Sequence, residues 1–249
     1  MKIIKHLSAV AAIVLAFSAS AEDRKELNVA TEPSFAPFEY MDKNTDELIG
    51  FDIDIINAIC EIEGYKANIA SMPFDAQIPA IMTDQIDVAI SGFTITKERA
   101  KMVTFSEPYY DAGLGALVHK NYRDKIKSLN DLNSASICAQ IGTSGAMFAQ
   151  QIKDAQVSQF NTANEAFMEL AHGGCIATIN DKPVLEYYLA TTENEDLYLL
   201  NESFTFEQYG IVTSKQHPEL SAMIQSGLTK IKENGTYDKI YEKWFGKRQ

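Results

Sequence analysis

The sequence predicts an α/β protein of two lobes, each a mainly parallel sheet flanked by helices, with two hinge strands joining them. Three observations carry that expectation. Short β-branched runs alternate with helical patterns across residues 26–90, the mark of βαβ units and a parallel sheet. The same alternation starts again across residues 136–190. Residues 107–111 and 207–213 read as two crossings between these blocks, which implies a cleft and a hinge.

The chain begins outside this scheme. Lys2, Lys5 and His6 precede an apolar run over 7–17 and a small-residue stretch, Ala19-Ser20-Ala21, the pattern of a signal peptide cleaved after Ala21. The run is shorter than the roughly 20 residues that span a bilayer. No Cys stands at the cleavage site to carry a lipid, so a free, exported, periplasmic protein is expected. Of 249 residues with net charge −12, removal of this segment takes two lysines and no acid, leaving −14. An acidic chain without a basic cluster argues against nucleic acid or an anionic membrane surface as partner.

In the first lobe, residues 27–30 read as a strand, and Asp52 as the cap of a helix whose apolar face holds Ile53, Ile56, Ala58 and Ile59. A strand over 66–71, a helix over 75–82 and a strand over 87–90 follow. Ser91-Gly92 then leaves the backbone bare to a ligand, and Thr96 caps a helix over 97–102. In the second lobe, strands at 136–140, 156–160 and 176–179 alternate with helices at 146–153, 163–172 and 184–190. Two amphipathic helices close the chain, over 217–234 and 237–245, with Gly235 ending the first and Thr236 capping the second. Trp244 reads as a packing anchor. The lobes are expected at 22–109 with 207–249, and at 111–206.

Ligands in such sheets bind beyond the carboxyl ends of the strands. Four corners fall there: Thr31-Glu32, Ser91-Gly92, Gly142-Thr143-Ser144-Gly145 and Asn180-Asp181-Lys182-Pro183. Arg99 sits in the first turn of a helix, where a cation opposes the dipole. Either it faces solvent, or it holds an anion together with the turn N–H groups and the Thr94 hydroxyl. The corner at Gly142 opens another helix without the Lys of a phosphate loop. Asp181 fits a helix N-cap before a proline or an ammonium ligand. No His or Cys shows metal-ligand spacing, and neither metal nor cofactor is expected.

Ser91-Gly92-Phe93-Thr94-Ile95-Thr96-Lys97-Glu98-Arg99, followed by Phe105-Ser106-Glu107-Pro108-Tyr109-Tyr110, resembles the signature of bacterial periplasmic solute-binding proteins of family 3, the polar amino acid-binding proteins of ABC importers. The likeness continues collinearly through residues 30–39, Gly50-Phe51-Asp52-Ile53-Asp54, Gln208-Tyr209-Gly210-Ile211, Glu233-Asn234-Gly235-Thr236-Tyr237 and Lys243-Trp244-Phe245-Gly246. The resemblance implies the two-lobed periplasmic-binding-protein fold. It also implies a monomer that delivers an L-amino acid to a membrane permease. By the same resemblance Arg99 and Thr94 take the α-carboxylate, and backbone at Ser91, Gly92 and Ser144, beside Thr143, completes the site. Asp181 takes the α-ammonium, and Phe35 and Phe74 sandwich the side chain. Read alone, each Phe would be core.

Two other classes share the fold by resemblance: dehydratases of small carboxylic acids, for which Glu32 could be the acid or base, and sensor domains. Glu32 and Gln140 look most like arginine-binding relatives, so a basic amino acid is expected first and glutamine next. Glu32 could also merely cap the Pro33-Ser34 turn. Three cysteines leave one unpaired. Cys60 reads as a buried thiol, and Cys138 and Cys175, at or near the starts of neighbouring strands, as a disulfide.

Overall fold

The computed structural model describes residues 25–247; the leader and its cleavage position lie outside the described residues. The first half holds β1 (Lys25–Thr31), a small ribbon of β2 (Ser34–Phe35), β3 (Glu39–Met41) and β4 (Leu48–Ile49), then α1 (Phe51–Ile62), β5 (Tyr65–Ser71), α2 (Phe74–Met82), β6 (Val88–Ala89), α3 (Lys97–Met102) and β7 (Thr104–Phe105). The chain continues through β8 (Tyr110–Ala112), β9 (Leu114–His119), β10 (Ser136–Gln140), α4 (Ser144–Ala149), β11 (Gln156–Phe160), α5 (Ala163–Ala171), β12 (Ala177–Asp181), α6 (Lys182–Thr192) and β13 (Leu197–Leu199). It closes with β14 (Glu207–Tyr209), β15 (Val212–Thr213), α7 (Pro218–Glu233) and α8 (Thr236–Phe245).

Two five-stranded sheets result, in the orders β5-β1-β6-β15-β7 and β11-β10-β12-β9-β13. In each, three parallel strands meet antiparallel ones: β15 returns beside β6, and β9 runs against β12. The central strands are covered on both faces, so β9 and β12 are buried along their whole length. On one face of the first sheet α1 sets Ile55, Ile56 and Ile59 against Leu27 and Val29. Its other face packs Ile81, Phe93 and Val103 around Ala30 and Ala89. Burial of each such aliphatic side chain contributes about 1.5–3 kcal/mol. Gly227 lets α7 approach α1, because a Cβ there would come within 2.7 Å of Ile59.

β8 and β14 pair with each other, Tyr110 opposite Tyr209, and form the two-stranded link between the sheets; Tyr209 also bridges to Thr94. Phe38 packs on this link, 4.8 Å from Tyr110 and 5.1 Å from Tyr209 in edge-on contacts. A disulfide joins Cys138 on β10 to Cys175 just before β12, with Cα atoms 6.0 Å apart. Closing a loop of 37 residues in the unfolded chain adds about 3–4 kcal/mol. Cys60 is free and buried, which pushes its thiol up to about 11. No helix among the described residues is long and apolar enough to cross a membrane.

Several local expectations are corrected. Asp52 does not cap α1: Gly50 holds that position, and Asp52 lies inside the first turn with its carboxylate turned into the protein. Thr236 is likewise the first residue of α8, and Gly235, in the left-handed region, is its cap. The helix expected over 146–153 starts at Ser144 and stops at Ala149, because i→i−3 bonds from Gln151 and Ile152 tighten its end. The β2-β3-β4 ribbon was not foreseen, since two- and three-residue strands leave no periodicity to read.

Candidate ligand-binding site

Between the lobes, at the carboxyl ends of β1, β6, β10 and β12, lies a narrow polar cavity. The first lobe lines it with Glu32, Phe35, Glu39, Phe74, Ser91, Gly92, Thr94 and Arg99, the second with Gln140, Thr143, Ser144 and Asp181. Every site residue singled out from the sequence is on this wall, and Glu39 is an addition. An enclosed slot with aromatic sides and a few convergent polar groups suits one small polar molecule.

Thr96 caps α3 through the Arg99 N–H, at 3.1 Å. The Arg99 side chain leaves the helix for the cavity and is only 5% exposed. Its guanidinium lies 5.4 Å from the centroids of both Phe74 and Phe93, which themselves stack at 4.4 Å. Nη1 donates to the Thr94 carbonyl at 2.8 Å and Nη2 to that of Gly142, across the cleft, at 2.9 Å. Two of five N–H donors are thereby used, and the rest remain for an acceptor. Burial brings the Arg99 pKa down to about 10 against the pull of Asp181 and Glu207, so it stays charged at neutral pH.

Asp181, at the end of β12, holds the N-cap position of α6, yet its side chain makes no capping bond. It is 4% exposed, and its Oδ1 has no hydrogen-bond partner among the described residues. Burial first, then the charge of Glu207, pushes its carboxyl up to about 7. The Tyr209 phenol eases that shift, although its hydroxyl completes no hydrogen bond among the described residues. Glu207 on the hinge strand is a second acid that sequence reasoning missed, as it missed Phe93 and Tyr209. It takes the Thr94 hydroxyl at 2.7 Å and that of Thr205 at 3.1 Å. The Thr94 hydroxyl proton is therefore directed at Glu207, while its oxygen lies 3.3 Å from Ser144 Oγ of the other lobe.

At the opposite end, Glu32 is 6% exposed. Its Oε2 accepts from Ser34 Oγ at 2.6 Å and, across the cleft, from Gln140 Nε2 at 3.1 Å. Glu32 thus braces the Ser34 turn and also lines the cavity. Burial raises its pKa, against the Ser34 and Gln140 hydrogen bonds. Thr143 caps α4 through Ala146 N–H and donates to Gln140 O, so its hydroxyl secures the corner. Gly92, at φ 56°, passes so close to Phe35 that a Cβ would lie 2.7 Å from the ring. Glycine keeps the aromatic wall flat there.

Residues 27–247 match the bacterial extracellular solute-binding proteins, family 3. An arginine-binding periplasmic protein of Mannheimia haemolytica is 34% identical over 88% of this chain and 90% of its own. The ABC transporter glutamine-binding protein of Bacillus subtilis is 33% identical over 91% and 83%. Among solved structures, an ancestral arginine-binding protein bound to arginine superposes with a TM-score of 0.85 at 41% identity, covering 90% of this chain and 99% of that one. Fold, cavity and sequence agree: the chain belongs to the family 3 extracellular solute-binding proteins.

Proposed function

We propose that this chain binds an L-α-amino acid in the interlobe cavity, with arginine or another basic amino acid preferred and glutamine next. It then hands its ligand to the permease of an ABC importer. The observation that carries the reading is the pairing, in one buried cavity, of a guanidinium with spare donors and a carboxyl with an unused oxygen. A zwitterion's carboxylate complements Arg99 and its ammonium complements Asp181. The ligand side chain then runs between Phe35 and Phe74 toward Glu32, which calls for a donor: guanidinium, ammonium or carboxamide N–H₂. A cationic head gains a further 0.5–2 kcal/mol, roughly, from the aromatic faces. Relatives named for arginine and for glutamine point the same way.

The lobes divide, on this reading, at residues 22–109 with 207–249 and at 111–206, the β8–β14 ribbon being the hinge, and the protein acts as a monomer after cleavage at Ala21. A dehydratase would need Glu32 free to move a proton, whereas its Oε2 is engaged by Ser34 and Gln140. A thermal-shift screen of the twenty amino acids tests the reading. Arginine, with lysine, histidine or glutamine behind it, should raise the unfolding midpoint most. Stabilisation by glutamate or leucine with none by these four would refute it.

A further inference from the structure

At the cavity floor and behind it lies a pair of acids, Glu39 on the wall and Asp52 beyond it, that the binding reaction just described does not use. Glu39 on β3 and Asp52 in the first turn of α1 are both 0% exposed. Glu39 Oε1 accepts from Ser91 Oγ at 2.8 Å. Asp52 Oδ2 accepts from the Gly92 N–H at 2.9 Å and from the Tyr109 hydroxyl at 2.7 Å. The remaining oxygens, Glu39 Oε2 and Asp52 Oδ1, have no donor among the described residues, and the two acids are neighbours: the Asp52 N–H donates to the carbonyl of Phe38, the residue before Glu39, and their carboxyl groups take donors from the adjacent Ser91 and Gly92. Two bare carboxylates cannot persist side by side in a buried site, and two orphaned acceptors are costly. One proton between them resolves both problems.

We propose that Glu39 and Asp52 share a single proton, carried by Glu39 and donated to Asp52, and that the pair positions the Ser91-Gly92 turn at the floor of the ligand site. The hydrogen-bond pattern decides which residue carries it. Asp52 receives two protein donors and lies in the first turn of a helix, where the dipole favours negative charge. Glu39 receives one donor and has no such support. Burial and then the charge of Asp52 raise the Glu39 carboxyl well above its ordinary range. The other titratable groups that face the pair are Glu32, whose charge pushes the same way, and the Tyr109 phenol, itself raised and so kept as a donor.

Ser91 links the pair to the acid at the side-chain end of the cavity. Ser91 Oγ donates to Glu39 and accepts the Glu32 backbone N–H at 3.0 Å. The proton on Glu39 thus bears on the turn and on the acid that faces the ligand side chain. A second negative charge behind Ser91 and Gly92 would draw both groups off the cavity wall.

The inference rests on the amino acid-binding reading for its functional half only, and the experiment separates the two. The infrared difference spectrum of wild type minus Glu39→Gln, in ligand-free protein at pH 8, should contain the C=O stretch of a protonated carboxylic acid. Its absence overturns the shared proton whatever the ligand. L-arginine titration calorimetry then ranks the variants. The amide of Glu39→Gln can still donate to Asp52 and accept from Ser91, so this variant should retain about tenfold more affinity than Asp52→Asn or Glu39→Ala. The wild-type advantage over Glu39→Gln should also shrink as pH rises, because only wild type has that proton to lose. Equal losses in all three variants, or a greater loss in Glu39→Gln than in Asp52→Asn, overturn the assignment. Should either of the harsher variants fail to fold, the infrared band and the pH profile of Glu39→Gln still decide it. Wild type that shows the band but binds no L-arginine refutes the ligand reading and leaves the proton in place.

Discussion

The two ends of the cavity are held by different means. At one end Arg99 is fixed by two main-chain carbonyls, and Asp181 by its place at the end of β12, paired with Leu114 of β9. At the other end side chains hold side chains, Ser34 and Gln140 both donating to Glu32. Main-chain geometry is set by the whole fold, so the first end suits what all α-amino acids share. The second rests on two hydrogen bonds between side chains and can be retuned by one substitution. Relatives of one fold named for arginine and for glutamine fit that division of labour.

The largest effect should come from breaking the first end. Arg99→Ala removes the cation that we propose faces the α-carboxylate, and an uncompensated buried charge costs about 3–5 kcal/mol, two to four decades in affinity. Calorimetry with L-arginine reads this, with circular dichroism to verify the fold. Affinity near wild type would remove the carboxylate from Arg99 and most of the site with it.

Asp181→Asn should cost less, about 1.5–3 kcal/mol for a hydrogen bond to a charged group, or one to two decades. It also carries a pH signature. Burial raises the Asp181 carboxyl from 3.8 to about 7 in the folded protein. A group raised on folding contributes stability that is complete below its unfolded pKa and lost as pH climbs through the folded one. The ligand-free unfolding midpoint of wild type, relative to Asp181→Asn, should therefore fall between about pH 4 and 7. An ammonium needs the ionised carboxylate, so arginine affinity should rise over the upper part of that range in wild type and stay flat in the variant. Parallel profiles would place the ammonium elsewhere.

These residues also show what the chain discloses by itself. Thr96 and Arg99 were legible because cap and cation are three residues apart and break a local rule together. The strands and long helices were legible from period and length. Asp181 was ambiguous, since one residue type serves as cap and as ligand and only its unused Oδ1 separates the two. Asp52 was misread because its partner, the Gly92 N–H, is 40 residues away, and the contact between Thr94 and Glu207 was not legible because 113 residues separate them. Local propensity cannot report a hydrogen bond made across the fold.

The smallest expected effect tests the second end most sharply. Glu32→Gln keeps size and most hydrogen bonding but removes the charge. If Glu32 faces the head of a basic ligand, arginine should lose about 1–2 kcal/mol, roughly tenfold, as a charge-assisted bond becomes a neutral one. Glutamine, whose carboxamide gains nothing from a full charge, should lose less, and the arginine-to-glutamine preference should narrow. If Glu32 only braces the Pro33-Ser34 turn, the same substitution loosens the corner for every ligand alike. The unfolding midpoint of the free protein would then fall while the preference stayed put. Calorimetry with the two amino acids, on wild type and Glu32→Gln, separates these cases because one changes a ratio and the other a common factor. A ratio that holds steady within error would detach ligand choice from Glu32 and move it to Gln140, the other side chain at that end of the slot.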